Sequence, residues 1–109
     1  MKKLQNLILI FGLSAFNIFA QTIPPITKNV EYPAYRKKLI GSGWTPVKQT
    51  KECGFFCQGQ RDGGLPETQD CADAGLAPCI FIYKNNDGKI LKVHTAGENL
   101  AVQRTASAK

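Results

Sequence analysis

The sequence has few of the residues on which most metal and cofactor sites depend. It contains one histidine, His94, one methionine and one tryptophan among 109 residues. Its four cysteines form no C-x2-C pair and His94 has no second histidine, so the usual ligand sets of structural zinc are missing. Gly63-Gly64 is not followed by the Lys-Ser/Thr pair of a phosphate-binding loop. We therefore predict no metal site and no cofactor.

Catalysis by a cysteine or by paired carboxylates is also disfavoured. A nucleophilic cysteine must be a free thiolate held by its base, whereas all four cysteines here are better explained as disulfide partners. His94 falls in the middle of a predicted strand. Glu67, Asp70 and Asp73 lie close together in the sequence, but charge at the end of a predicted helix explains them. We predict no catalytic residue and expect a protein that is not an enzyme.

Long apolar runs are confined to the N-terminus. Lys2 and Lys3 precede an apolar run over residues 4–19, and Ala20 ends it before the polar change at Gln21. This order of charged, apolar and small residues is the layout of a secretory signal peptide. The run has 16 residues, fewer than the roughly 18–20 that span a bilayer, so a membrane anchor is the less favoured alternative. We predict a signal peptide over 1–20 and a periplasmic or secreted protein without a stable membrane anchor.

Acidic residues are the minority charge. Without residues 1–20 the chain has 89 residues, of which twelve are Lys or Arg and eight are Asp or Glu. A chain of this size forms one small domain with a marginal core, which exported proteins usually reinforce with disulfides. Its one basic run, residues 36–38, falls on a predicted helix and reads as a solvated helix face, so nucleic acid is not a predicted partner. We expect an extended leader over 21–31 and a single domain over 32–109.

An apolar stripe predicts a short helix at the start of this domain. Tyr32, Tyr35 and Leu39 recur at helical spacing. Pro33 suits the first turn, where its missing N–H costs nothing, and Gly41 suits the end of the helix.

The next segment alternates between weak strand and helix signals. Residues 44–47 predict a short edge strand, because Pro46 could not donate a hydrogen bond inside a sheet, and Trp44 is expected to cap the core. Residues 48–64 are rich in glycine and are predicted to be an irregular loop tied down by its cysteines. A second short helix is predicted over 66–74, with Pro66 in its first turn.

The clearest local signal is a β-hairpin. Residues 79–84 and 89–95 are rich in strand formers, and the Asn-Asn-Asp-Gly segment between them is typical of a turn. A loop of two or four residues places one set of side chains in the core: Ile80, Ile82, Leu91 and Val93. The opposite face then carries Phe81, Tyr83, Ile90, Lys92 and His94. A loop of odd length would scramble both faces, because a slip of one residue inverts the side chains of one strand relative to the other.

These elements together predict an α+β fold. One short N-terminal helix packs on a small antiparallel sheet of three to four strands, with a disulfide-stapled loop and a second short helix. Weak alternation at Leu100, Val102 and Arg104 supplies the last strand.

The cysteine spacing is C-x3-C-x13-C-x7-C, which allows three disulfide pairings. Loop entropy does not decide between them. It favours the nested pairing, which closes longer loops, but the model behind that estimate ignores strain. We favour Cys53–Cys57 and Cys71–Cys79, since residues four apart on a helical turn are close enough to bridge and Gly54 gives that turn freedom.

Four short motifs carry a resemblance to a known family. They are Tyr32-Pro-x-x-Arg36-x-x-Leu39-x-x-x-Gly43-Trp44-x-Pro46, Pro66-Glu67-x-x-x-Cys71, Gly75-Leu-Ala-Pro78-Cys79 and Asp87-Gly88. Over most of residues 32–97 the chain resembles a family of small uncharacterised exported proteins of Gram-negative bacteria. The resemblance implies a helix followed by an antiparallel sheet and one bridge that matches Cys71 and Cys79. Cys53 and Cys57 look like an addition, which supports the local pairing, and the resemblance implies no activity.

Binding is the function that these observations leave. Phe81, Tyr83, Lys92 and His94 on one sheet face are a candidate surface for another exported or envelope protein. The loop that carries Phe55 and Phe56 could instead cover that face, and the sequence does not separate these readings. We expect a binding module, such as an inhibitor, an immunity protein or an envelope-complex subunit. The alternative is a small hydrolase or a cell-wall or sugar-binding module without a recognisable motif.

Overall fold

The structure, a computed structural model, describes residues 22–108. They form two helices and a five-stranded antiparallel sheet, which confirms the α+β prediction with one strand more than expected. In chain order the elements are α1 (Tyr32–Gly41), β1 (Thr45–Pro46), α2 (Phe55–Asp62), β2 (Thr68–Cys71), β3 (Cys79–Lys84), β4 (Ile90–Ala96) and β5 (Ala101–Ala108). The predicted signal peptide and the start at Gln21 lie outside the described residues. No helix within 22–108 has the length and hydropathy needed to cross a membrane.

Strand β3 is the centre of the sheet. It pairs along its whole length with β4, and β4 pairs with the edge strand β5. Two short strands share the other edge of β3, since β2 pairs with residues 79–81 and β1 with residues 83–84. Segments from three parts of the chain therefore meet on one strand.

Helix α1 forms as predicted. Pro33 lies in its first turn, and Tyr32, Tyr35 and Leu39 are fully buried on one side of the helix. The ring of Tyr32 stacks on the ring of Phe81 in β3, with the centroids 3.8 Å apart. The apolar stripe of the sequence is thus the side of the helix that packs on the sheet.

The extended leader packs against the domain. The indole N–H of Trp44 donates a hydrogen bond to the Thr22 carbonyl at 3.0 Å, and the Tyr35 hydroxyl donates to the Pro24 carbonyl at 2.6 Å. Glu31 forms a bridge with the first residue of β5. Trp44 is nearly fully buried within the core cluster, as predicted for a residue that caps the core.

The loop between β3 and β4 has an odd length, which reverses the predicted faces of β3 and leaves those of β4 unchanged. Lys84 pairs with Ile90, so that five residues, 85–89, separate the strands. The face that packs in the core carries Cys79, Phe81, Tyr83, Leu91, Val93 and Thr95. The opposite face carries Ile80, Ile82, Lys84, Ile90, Lys92 and His94. The prediction that Ile80 and Ile82 share the core face with Leu91 and Val93 is wrong.

Asn85 and Gly88 account for the odd loop. The Asn85 Oδ1 accepts hydrogen bonds from the backbone N–H groups of Asp87 and Lys89, each at 2.9 Å. The Asn85 N–H donates in turn to the Lys89 carbonyl at 3.0 Å. Gly88 has a φ of +81°, in the left-handed region that favours glycine. The contact between Asn85 and Lys89 leaves three loop residues, 86–88, and a three-residue loop that ends in a left-handed glycine is a common hairpin connection. This connection forms here in place of an even-length turn.

Two predictions for residues 48–74 are wrong. Residues 55–62 form helix α2 instead of irregular chain, and the segment after Pro66 contains strand β2 instead of a helix. Cys71 lies directly opposite Cys79 in the sheet, so the ladder and the disulfide both hold this segment extended. Pairing with β3 therefore overrides the local helix signal. A second short helix exists, but it precedes Pro66.

Both predicted disulfides are confirmed. Cys53 is bonded to Cys57 with their Cα atoms 5.9 Å apart, and Cys71 is bonded to Cys79 with their Cα atoms 4.0 Å apart. Among the described residues no cysteine is free. Disulfides persist in oxidising compartments, so the structure indicates a location outside the cytoplasm.

The two disulfides are expected to contribute unequally to stability. Replacing both Cys71 and Cys79 with serine should lower the free energy of unfolding by about 2–5 kcal/mol. The same double change at Cys53 and Cys57 should cost less, because that bridge spans a sequence separation of 4 instead of 8. Urea denaturation of the two double variants without reductant measures the difference. An equal or larger loss for the Cys53–Cys57 pair would contradict the expectation.

Candidate binding surface at the disulfide-stapled end

The four residues predicted as a partner surface do not lie on one face. Phe81 and Tyr83 are fully buried on the core face of the sheet, whereas Lys92 and His94 lie on the opposite face. The correction follows from the odd hairpin loop, because a shift of one residue moves every side chain of one strand, here β3, to the other face relative to its partner. Phe81 and Tyr83 are therefore core residues, and a binding surface must be sought elsewhere.

The core face contains a buried polar cluster. The fully buried Glu67 carboxylate accepts a hydrogen bond from the Tyr32 hydroxyl at 2.5 Å and a longer one from the Tyr83 hydroxyl at 3.4 Å. The Arg36 guanidinium binds the same carboxylate through both oxygens, at 2.7 Å to Oε2 and 3.2 Å to Oε1. Glu67 is thus held by α1 and β3, and the assignment of this residue to the end of a second helix is wrong.

This cluster has a structural role. Burial raises the pKa of the Tyr32 hydroxyl, and the nearby Tyr83 and Glu67 raise it further. Burial also raises the pKa of Tyr83. Both hydroxyls therefore remain protonated, and they serve as hydrogen-bond donors and not as bases. Because the carboxylate is fully buried, the cluster fastens helix α1 to the sheet and presents no reactive group to solvent.

The disulfide-closed segments carry the two most exposed large apolar side chains described. Phe55 lies between Cys53 and Cys57 and is 93 % exposed. Leu76 lies between Cys71 and Cys79 and is 73 % exposed. Each of these side chains is thus held in solvent by a short covalent loop.

The two closed segments meet at one end of the domain. The backbone N–H of Phe56 donates a hydrogen bond to the Asp73 carboxylate at 3.4 Å. A Cβ atom added at Gly54 would lie 3.0 Å from an Asp73 oxygen, so Gly54 lets the carboxylate approach closely. The Gly97 N–H donates to the Leu76 carbonyl at 2.5 Å, which brings in the turn that links β4 to β5. Asp73 therefore does lie beside a helix N-terminus, but that of α2.

An open cavity of about 490 Å³ lies where these segments meet. It is lined by Phe55, Phe56, Ala72, Asp73, Gly75, Ala77 and Glu98. We call these residues, together with Leu76, the stapled surface. Its apolar groups are joined by two exposed carboxylates, Asp73 and Glu98. This chemistry suits an apolar side chain that carries or adjoins a positive charge.

The backbone of the stapled surface is unusual at two positions. Gly75 has a φ of +66° and Ala77 a φ of +49°. The alanine adopts a conformation that residues with a Cβ rarely take, which the closed loop enforces. Non-glycine residues in this region are often found at sites of function.

The sequence contained one usable signal for this surface. The two short spacings, C-x3-C and C-x7-C, mark segments that disulfides hold rigid, and the large apolar residues within them are Phe55, Phe56 and Leu76. The exposure of these side chains was not evident, because an apolar residue beside a cysteine is more often buried.

The described residues hold no metal-binding group. Within residues 22–108 no three His, Cys, Asp or Glu side chains are placed to share an ion. Asp70, the remaining member of the carboxylate group noted in the sequence, accepts a hydrogen bond from the Cys71 N–H at 2.9 Å.

Comparison with known proteins gives no relative. No protein-family model matches the chain, and neither a curated protein nor a solved structure matches it. The resemblance to small exported proteins of Gram-negative bacteria therefore stays a prediction that rests on the four short motifs.

Proposed function

We propose that the protein is an exported binding module that uses the stapled surface to hold another exported or envelope protein. The observation that carries this proposal is the pair of exposed side chains, Phe55 and Leu76, each within a disulfide-closed loop beside the same cavity. An inhibitor, an immunity protein or an envelope-complex subunit would act in this way.

Rigidity is the physical advantage of this arrangement. Immobilising a flexible side chain or loop on binding costs free energy, and a segment that is already held in place avoids part of that cost. Both disulfides act on the segments of the stapled surface, so little ordering remains for the moment of contact. An aromatic side chain presented in this way is typical of the residues that dominate interface energetics.

The carboxylates of the stapled surface define the partner further. Asp73 and Glu98 line the cavity together with Phe55 and Phe56. A partner segment with an apolar side chain next to a lysine or arginine would fill the cavity and meet both acids. We therefore expect the affinity to fall with increasing salt, because exposed charge pairs are screened.

The alternative function is a small hydrolase or a cell-wall or sugar-binding module. Aromatic and acidic groups in an open cavity also suit carbohydrate, so the alternative uses the same surface. The two functions predict different results. The alternative requires that the protein alone, without a protein partner, hydrolyses cell-wall material or binds to it.

Substitution of Phe55 tests the proposal. A photo-reactive phenylalanine analogue at position 55 should form one saturable cross-link in an envelope extract, and this product identifies the partner. With the purified partner, Phe55→Ala should weaken binding by more than about 1 kcal/mol, measured by calorimetry. The melting temperature should not change, because the side chain is 93 % exposed.

Ile40 provides the matched control. It is another exposed apolar residue, 44 % exposed on α1 and outside the stapled surface. Ile40→Ala should leave the affinity unchanged. Equal losses for the two variants, or release of sugar from cell-wall substrates by the purified protein, would contradict the proposal.

A further inference from the structure

The outer face of the sheet carries a group of positive charges that the proposed function does not explain. This face is formed by the side chains of β3, β4 and β5 that point away from the core. Its cationic or titratable members are Lys84, Lys92, His94 and Arg104. Ile80, Ile82 and Ile90 lie between them. We call this set the outer sheet face.

Three of these groups lie on two adjacent strands. His94 in β4 is directly opposite Arg104 in β5, and Lys92 is two residues before His94 on the same face. Side chains in such positions have Cβ atoms about 5–7 Å apart. Among residues 22–108 the one recorded ion pair joins Arg36 to Glu67, so no acid forms an ion pair with these three groups. Two permanent positive charges, Lys92 and Arg104, therefore lie next to His94 on adjacent strands.

Charged groups lie near His94 on both of its sides in the sheet. Burial lowers the pKa of the His94 imidazole, and Arg104 and Lys92 lower it further. On the β2 side, Asp70 and His94 line one open cavity of about 290 Å³ together with Ile80. Asp70 is therefore the acidic group on that side of His94, with Ile80 of β3 between them in the ladder.

We propose that the outer sheet face binds the phosphate groups of an anionic lipid surface through Lys92, His94 and Arg104. The site is separate from the stapled surface and does not depend on the function proposed for it. A membrane surface with negative charge attracts clustered lysine and arginine residues.

The shape of this face favours a lipid surface over a free anion. The cations are spread along three strands instead of converging on one point, and a bilayer offers many phosphates in a plane. Ile80 and Ile90, which are half-buried between the cations, can contact the region just below the headgroups, whereas Ile82 is buried. The exposed carboxylates of Asp73 and Glu98 belong to the stapled surface. Asp70 is the acid that shares a cavity with His94, and the three cations Lys84, Lys92 and Arg104 outnumber it.

Vesicle binding tests the proposal directly. Sedimentation with phosphatidylcholine vesicles that contain phosphatidylglycerol should retain the protein, whereas pure phosphatidylcholine vesicles should not. Lys92→Gln and Arg104→Gln should each weaken binding about fivefold. The matched control is Lys38→Gln, which removes the same charge from the exposed side of α1 and should change binding less than twofold. Unchanged melting temperatures show that all three variants fold.

Titration of His94 gives a second readout. A phosphate surface favours the charged imidazolium, so the pKa of His94 should rise on binding and the protein should take up a proton. Binding should therefore strengthen as the pH falls through the His94 pKa. His94→Gln should remove this dependence. Asp70→Asn should strengthen binding, because it removes the acid that faces the imidazole.

Three results would overturn the proposal. They are equal binding to vesicles with and without phosphatidylglycerol, an equal loss in Lys38→Gln, and saturable capture of inorganic phosphate without vesicles. The last of these would show a single-anion site instead of a membrane contact.

Discussion

Replacement of Arg36 by methionine is expected to lower the free energy of unfolding by about 3–5 kcal/mol. Arg36 forms the one ion pair recorded among residues 22–108, and its partner carboxylate, Glu67, is fully buried. Without the guanidinium, Glu67 would keep two tyrosine hydroxyls as its donors and no compensating charge. A buried charge that loses its partner is among the most destabilising single changes known.

A double variant separates the ion pair from simple loss of packing. Glu67→Gln removes the charge and keeps the shape, so Arg36→Met with Glu67→Gln should be more stable than Arg36→Met alone. The coupling between the two positions should be about 1–3 kcal/mol in urea denaturation, as for residues in direct contact. Methionine retains most of the apolar stem of arginine, so packing of α1 changes little.

Lys37 is the control for this cycle. It is an exposed cation next to Arg36 on α1, and Lys37→Met should change stability by less than about 0.5 kcal/mol. A loss of 1 kcal/mol or less for Arg36→Met would show that solvent and not Arg36 compensates the carboxylate, and the cluster would then not be what fastens α1 to the sheet.

This cluster shows which information the sequence carries and which it does not. The side of α1 that faces the core follows from the spacing of Tyr32, Tyr35 and Leu39, which is a local pattern. The partner of Arg36 does not, because Glu67 lies 31 residues away and is brought close by the pairing of distant segments.

The hairpin shows how one turn residue, Asn85, can decide which side chains of a strand face the core. The strands and the turn were predictable from β-formers and turn residues. The loop length was not, because it depends on two hydrogen bonds to Asn85 and on the left-handed Gly88. An error of one residue then moved Phe81 and Tyr83 from the expected surface into the core.

The disulfides were predictable, whereas the surface that they support was not. Local pairing follows from the short spacings, and the structure confirms it. The meeting of the two closed segments depends on the contact between Asp73 and Phe56, which joins parts of the chain 17 residues apart. The sequence does not reveal this contact, and it therefore predicted a binding surface on the sheet. The stapled surface is visible only in the folded structure.

Replacement of Phe81 by alanine is expected to destabilise the domain by about 3–5 kcal/mol, as for other large aromatic residues removed from a core. Phe81 is fully buried in the central strand and stacks on Tyr32. The change therefore removes a large apolar group and leaves a cavity between α1 and the sheet. The domain should melt about 10 °C or more lower, since 1 kcal/mol corresponds to about 4–8 °C at this size.

Ile80 is the control that tests the register itself. It precedes Phe81 in β3 but lies half-buried on the outer sheet face. With the five-residue loop, Ile80→Ala should cost clearly less than Phe81→Ala, whereas an even-length loop would reverse that order by placing Ile80 in the core. Urea denaturation of the two variants decides between these registers. An Ile80→Ala loss equal to or above that of Phe81→Ala would restore the face of Phe81 and Tyr83 as a surface, and the stapled surface would no longer be the preferred binding site.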